Sequence, residues 1–302
     1  MPETAFGLLN IDKPGGMTSH DVVDVVRRGT KIKRIGHAGT LDPMATGVLV
    51  ICVGAATRLS EYIMDHPKVY RATLRFGQTT TTYDAEGEIT SENTAPITRE
   101  QLEAVLPKFR GFIEQIPPMY SAIKQGGEKL YEKARRGEEV ERAPRPVTIY
   151  RIILEEFNYP QAVITVRCTP GTYIRSLAHD LGQVLGVGAH LSALRRMSSG
   201  ENFMADHAVP LDVLKKSFED GTWQDHLLDV SLGLSQMPRI ELNNQPEAVV
   251  RNGGFIRLGI SNAGPLQAWT DEGLFVGILV KQGEEEGETV WRPDKVFNNL
   301  NE

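Results

Sequence analysis

Twelve residues, Gly36-His37-Ala38-Gly39-Thr40-Leu41-Asp42-Pro43-Met44-Ala45-Thr46-Gly47, separate a helix-forming segment from the apolar, strand-like run Val48–Val53. The chain must therefore carry a Gly- and Thr-rich loop directly into a strand. Asp42 precedes proline, which disfavours helical φ/ψ and leaves the aspartate in extended or turn geometry. Gly36, Gly39 and Gly47 allow tight bends and a close approach of ligand to backbone. A carboxylate on such a loop, beside His37, suits a positioned nucleophile, although an ordinary Asp-Pro turn has the same local signature.

The segments on either side assign themselves by pattern. Phe6–Asp12 reads as a strand. Thr18 or Ser19 caps a helix whose buried stripe is Val22, Val23, Val25 and Val26, with Asp21 and Asp24 near its positive end. Val69–Gly77 is a strand, and Thr98 with Gln101 forms a capping box. The stretch 117–146 is polar, basic and punctuated by Pro-Pro and Gly-Gly. It is too long for an ordinary connector and reads as a functional insertion with a helix near Glu128–Arg136. Val147–Phe157 and Ala162–Cys168 form a hairpin, and Ile174–Leu185 a helix. Beyond the boundary region Leu228–Pro238, short strand-like segments separated by Gly, Asn and Pro indicate a small β module.

Charge divides the same way. The 302 residues carry a net charge of −6, and residues 215–302 hold all of it, with 8 Lys+Arg against 14 Asp+Glu. The remainder is neutral but locally basic at Arg27, Arg28, Lys31, Lys33 and Arg34, and again over Lys124–Arg151. Such strips are either solvated faces or contacts for a polyanion, since phosphate contacts act within about a Debye length. Residues 1–20 lack a signal-peptide pattern and no apolar run reaches membrane-spanning length, so no membrane partner is expected. Cys52 and Cys168 sit apart in apolar runs, as buried free thiols in a reducing cytoplasm would. Phosphate-loop, dinucleotide, serine-hydrolase and zinc signatures are missing, so no cofactor and no metal are expected.

A second constellation is Gly171-Thr172-Tyr173-Ile174-Arg175, where a non-helical first residue lets Tyr173 and Arg175 enter one pocket. Arginine offers a carboxylate a forked donor, and tyrosine a flat face with a hydroxyl. Tyr70, in a strand, is unremarkable alone.

Together these segments resemble the bacterial tRNA pseudouridine-55 synthase family of the TruB type. The resemblance rests on LLNIDKPGGMTSHDVV (8–23) with GHAGTLDPMATGVL (36–49), then VYRATLRFG (69–77) and IPPMYSAIKQGGEKLYEKARRGEEV (116–140). It continues through RPVTIYRI (145–152), CTPGTYIRSLAHDLG (168–182) and GAHLSALRRMSSG (188–200), about two-thirds of the chain. The setting Thr40-Leu41-Asp42 fits this type, where related synthases carry Arg-Leu-Asp.

The resemblance implies an α+β fold with a mixed, largely antiparallel central sheet decorated by helices and loops. It implies a catalytic domain over 1–230, with the insertion 117–146 clamping RNA, and a PUA-like RNA-binding module over 231–302. The implied reaction isomerises uridine to pseudouridine in the tRNA T-loop, on a flipped-out base. Asp42 would be the nucleophile, at C1′ or C6. Arg175 would orient Asp42 and lower its pKa. Tyr70 would stack on uracil and serve in proton transfer. Tyr173 and Leu194 would line the pocket, His37 would fill the gap left by the departed nucleotide, and Lys13 would hold phosphate. The implied partner is the T-arm stem-loop of tRNA, met by a monomer that needs no obligate protein partner in the cytoplasm. Two other readings share the surface: a non-catalytic RNA-binding or RNA-folding protein, and a synthase for another RNA site or one guided by an RNA.

Overall fold

The apolar run after the Asp42 loop is buried on both faces, and that places it at the junction of two cores. The computed structural model describes residues 5–121, 124–125, 127–130, 133, 136, 138, 140–260 and 264–298. Its first half runs β1 (Gly7–Lys13), α1 (Ser19–Thr30), β2 (Ile35–His37), β3 (Thr46–Val53), α2 (Ser60–Met64), β4 (Lys68–Phe76), β5 (Gln78–Thr80), β6 (Ile89–Glu92), α3 (Arg99–Val105) and β7 (Gly111–Gln115). Then follow β8 (Lys124–Gln125), β9 (Glu128–Lys129), β10 (Arg145–Asn158), β11 (Gln161–Cys168), α4 (Ile174–Val184), β12 (Ala189–Ser199), β13 (Phe203–Met204), β14 (Val209–Pro210) and α5 (Leu211–Asp220).

Ten of these strands form one sheet in the order β14-β1-β3-β12-β4-β11-β10-β7, with β2 added to β3 and β13 to β12. Only β1–β14 and β3–β12 pair in parallel, so the sheet is mixed and largely antiparallel, as expected. Alternation along β1 and β3 serves two cores. Leu9, Ile11, Leu49, Ile51 and Val53 pack with Val22, Val23 and Val26 of α1 and Leu177 and Leu181 of α4. Leu8, Val48, Val50 and Cys52 face the other way.

That second face is covered by a five-stranded sheet, the small β module expected from composition. It comprises β15 (Arg239–Leu242), then α6 (Asn244–Arg251), β16 (Ile256–Leu258), β17 (Leu266–Thr270), β18 (Phe275–Glu285) and β19 (Glu288–Val296), in the order β15-β17-β18-β19-β16. Trp269, Phe275, Ile278 and Phe297 share one core with β1 and β3. Phe6 lies against Phe275 and Phe297, with centroids 6.1 and 5.5 Å away. The turn Val230–Leu234, where the domain boundary was expected, is buried in the same cluster.

The cap of α1, left open between Thr18 and Ser19, is Thr18, and that of α3 forms as read. Thr18 accepts from the Asp21 amide while the Asp21 carboxylate accepts from the Thr18 amide, and Thr98 and Gln101 do the same for α3. In the insertion, Glu128–Lys129 is a strand paired with Lys124–Gln125, so the expected helix does not begin at Glu128. Most of its remainder lies outside the described residues. Leu130, Lys133 and Arg136 are the exceptions: Leu130 and Lys133 are helical, in keeping with the expected helix, and Arg136 ion-pairs with Glu128 and Glu138. His37, read as part of the loop, instead ends β2, paired with Ile51.

Candidate active site

The Asp42 loop is held from three sides by side chains that serve its backbone. It turns over Asp42–Ala45, with the Ala45 amide donating to the Asp42 carbonyl at 3.1 Å. From α1, the buried Ser19 hydroxyl accepts from the Leu41 amide at 2.8 Å and donates to the Leu41 carbonyl at 3.1 Å. From β1, the Lys13 ammonium donates to the carbonyls of Pro14, Met17 and Pro43 at 2.8, 2.5 and 3.2 Å. From β12, the Arg196 guanidinium donates to Gly39 at 3.0 Å, Thr40 at 3.4 Å and Val48 at 2.6 Å. Gly47 is required where β3 passes β12, because its φ is +96° and a Cβ there would sit 2.3 Å from the Arg196 carbonyl oxygen.

The carboxylate itself meets Arg175, the second residue of α4. Arg175 Nη2 donates to Asp42 Oδ1 at 3.0 Å, and Nε lies 2.9 Å from Oδ2. The Arg175 side chain is only 5% exposed, while Asp42 keeps 32%, so the pair presents a carboxylate edge to solvent from a buried cation. Arg175 is fixed in turn by the carbonyls of Tyr120 at 2.8 Å and Thr82 at 3.4 Å, and by Asp84 Oδ2 at 3.3 Å from Nη1. Asp84, in the turn between β5 and β6, is 3% exposed and accepts from the Thr82 hydroxyl and the Glu86 amide. Nothing in the sequence around Asp84 distinguishes it from an ordinary turn aspartate; only the tertiary fold brings it to Arg175.

Burial raises the Asp42 pKa above the ordinary carboxylate value, and the Asp84 charge adds to this; Arg175 and Lys13 pull it down without overcoming burial. Arg175 thus acts in the expected direction, yet the net shift is upward. Lys13 is 0% exposed, and burial lowers its pKa to about 8. Its ammonium is turned inward onto three carbonyls instead of outward toward a phosphate.

The remaining candidates gather around this pair to different degrees. Tyr173 is the N-cap of α4, and Gln115 grips its backbone twice, accepting from the amide at 2.7 Å and donating to the carbonyl at 2.9 Å. Burial raises the pKa of the Tyr173 phenol, and Arg175 and Asp42 are among its electrostatic neighbours. Tyr70 on β4 lies directly across from Arg196 on β12. Its phenol pKa is also raised by burial, with Arg196, Cys168 and Asp42 facing it. His37 is half-buried, and burial and Arg196 hold its pKa below the ordinary value, favouring the neutral ring. Leu194 is 7% exposed and belongs to the main core, paired across the sheet with Ala72. Sequence reasoning missed Asp84, Gln115, Ser19 and Arg196 as supports; of these, Ser19 and Arg196 carried a signal, their places in the segments 8–23 and 188–200.

A family model described as TruB family pseudouridylate synthase, N-terminal domain, matches residues 27–174, and one for the tRNA pseudouridylate synthase B C-terminal domain matches 175–233. The chain belongs to the TruB family. It is 49% identical over 251 residues to a tRNA pseudouridine synthase B of Symbiobacterium thermophilum, covering 82% of each chain. It is 43% identical over 276 residues to that of Pseudomonas paraeruginosa, covering 90% of each. Among solved structures, a chain in the crystal structure of a Cbf5–Nop10–Gar1 complex superposes with a TM-score of 0.78 at 26% identity, over 99% of this chain and 87% of that one. The protein is accordingly a TruB-family tRNA pseudouridine synthase, an isomerase with the pseudouridine synthase fold, and its second sheet is consistent with a PUA-like module.

Proposed function

We propose that the enzyme converts the uridine at position 55 of the tRNA T-loop to pseudouridine, with Asp42 as nucleophile. The observation that carries this reading is the Asp42–Arg175 pair, a partly open carboxylate held at two points by a buried guanidinium. Charge-assisted contacts of this kind fix orientation. A target base inside a folded T-loop must leave its stack first, at a cost of a few kcal/mol. Asp42 then attacks C1′ or C6, the bond from C1′ to N1 breaks, uracil turns, C5 bonds to C1′, and the bond to the Asp42 carboxylate breaks to return the free enzyme. The C5 proton leaves and N1 gains one, so the reaction needs no redox partner or group donor.

Tyr70 stacks on the extruded uracil and takes part in proton transfer. Tyr173 and Leu194 form walls, and His37 occupies the space the nucleotide vacates. Lys13 serves the site by fixing the loop. Residues 117–146 clamp the T-arm, and residues 231–302 extend the RNA surface beyond a catalytic domain of residues 1–230. The chain acts alone, as a monomer. The test is incubation with unmodified tRNA transcript, derivatisation by a pseudouridine-specific carbodiimide, and primer extension. A single new stop at position 55 supports the assignment; modification elsewhere, or only in the presence of a guide RNA, overturns it.

A further inference from the structure

Arg196 is 1% exposed, and its guanidinium donates to the backbone carbonyls of Val48, Thr40 and Gly39. A buried cation without a carboxylate partner carries a large desolvation cost, usually relieved by pairing. Its neighbours make the position harder still, because Lys13, Lys68 and His37 all face the same charge. Lys68, also buried, turns its ammonium to the carbonyls of Met64 and His66. Among the described residues, the ionisable group that gains from the arrangement is Tyr70. It is the direct cross-strand neighbour of Arg196, on the face that also carries Ala72 and Leu74 into the main core. Residues opposite each other in an antiparallel pair have Cβ atoms about 5 Å apart, within reach of both long side chains.

We propose that Arg196 is a positioning residue for both halves of the reaction: its guanidinium fixes the loop bearing Asp42 and, from the same place, orients the Tyr70 hydroxyl and stabilises negative charge on its oxygen. The inference rests on the reading above in which Tyr70 moves a proton. When C5 has bonded to C1′, C5 carries one hydrogen and the ring holds an N1=C6 bond. The Tyr70 oxygen, as phenolate, takes the C5 proton. The freed electron pair forms C5=C6, the N1=C6 pair moves to N1, and N1 takes a proton from the phenol or from water. A fixed cation beside the phenol supports the oxygen in its charged form before transfer. Around that oxygen, Arg196 opposes the burial cost and the charge of Asp42, with the Cys168 thiol also facing the ring.

The test separates a loop clamp from a residue that also serves Tyr70. Single-turnover rates are measured for the full chain, Arg196→Lys and Arg196→Gln with saturating T-arm RNA, using uridine with hydrogen or deuterium at C5. Loss of the guanidinium should slow the reaction about a hundredfold, the scale of a 1 Å misplacement. It should also raise the C5 isotope effect above that of the unaltered chain, because proton removal becomes limiting. A rate loss with an unchanged or smaller isotope effect means that only the Asp42 loop was disturbed, and overturns the proposal. If neither variant folds, nitrogen NMR of the Arg196 guanidinium in the unaltered chain and in Tyr70→Phe decides the matter. A shifted Nε signal in Tyr70→Phe supports the contact, and an identical signal overturns it. If the unaltered chain forms no pseudouridine in any tRNA, the functional reading falls, while the NMR comparison still decides whether Arg196 serves Tyr70.

Discussion

Arg175 is the residue whose loss should separate binding from chemistry most sharply. Its guanidinium spans two carboxylates and two carbonyls, touching Asp42 at 2.9 and 3.0 Å, Asp84 at 3.3 Å, Tyr120 at 2.8 Å and Thr82 at 3.4 Å. Lysine at 175 keeps the charge but gathers its donors at one point, so it cannot serve Asp42 and Asp84 in the same geometry. Methionine removes the charge and leaves two carboxylates facing each other. Breaking a buried pair from one side costs about 3–5 kcal/mol, which for a large domain lowers the melting temperature by roughly 10 °C. Arg175→Lys should fall toward the lower end in stability and lose about a hundredfold in single-turnover rate, with tRNA affinity kept within a few-fold. Arg175→Met should also move the acid limb of the rate–pH profile upward, because the cation that favours ionised Asp42 is gone. Release of tritium from C5 of uridine-labelled tRNA gives the rate, and filter binding the affinity. The reasoning fails if Arg175→Lys retains a third or more of the rate, or if it weakens binding and flattens the salt dependence while the bound complex reacts normally.

Other perturbations test separate supports. The unaltered enzyme should lose activity as pH falls through a value above the ordinary carboxylate range, because burial raises the Asp42 pKa and only the carboxylate attacks; an acid limb at or below the ordinary value contradicts this. Ser19→Ala leaves the Leu41 amide and carbonyl unpaired in a buried setting, so calorimetry should show a loss of about 1–3 kcal/mol. Phe275→Ala opens the core shared by the two sheets and should cost about 3–5 kcal/mol, with one cooperative melting transition retained; two separate transitions would show that the sheets are independent. Replacing Lys124, Lys129 and Lys133 by Ala should weaken tRNA binding and make its salt dependence shallower without changing the rate of the bound complex.

Local chemistry made much of the fold legible. The capping box of Thr98 with Gln101 is a four-residue pattern and starts α3 as read, and the cap of α1, left between Thr18 and Ser19, falls on Thr18. The hairpin of β10 and β11 and the start of α4 follow from apolar runs bounded by turn residues. What escaped was β12, whose arginines and serines mask a strand that is central only because β3 and β4 flank it. The pairing of Asp42 with Arg175 came from recognising separate motifs, since the two lie 133 positions apart and no local pattern joins them. Asp84 and Gln115 were invisible for the same reason: each is chemically ordinary, and its partner is set by how the sheet folds. Lys13 was misjudged in direction. The resemblance implied a phosphate contact, yet the ammonium is turned onto the carbonyls of Pro14, Met17 and Pro43.

The central claim is that the Asp42 carboxylate attacks the target nucleotide. Asp42→Asn keeps the size and the contact with Arg175 through its carbonyl oxygen, and removes the anion. With saturating unmodified tRNA, its single-turnover release of tritium from C5 should be undetectable, while its affinity for the same tRNA stays within a few-fold of the unaltered chain. Tritium release within about tenfold of the unaltered enzyme, a barrier difference of only about 1.4 kcal/mol, would contradict the claim and move the nucleophile elsewhere.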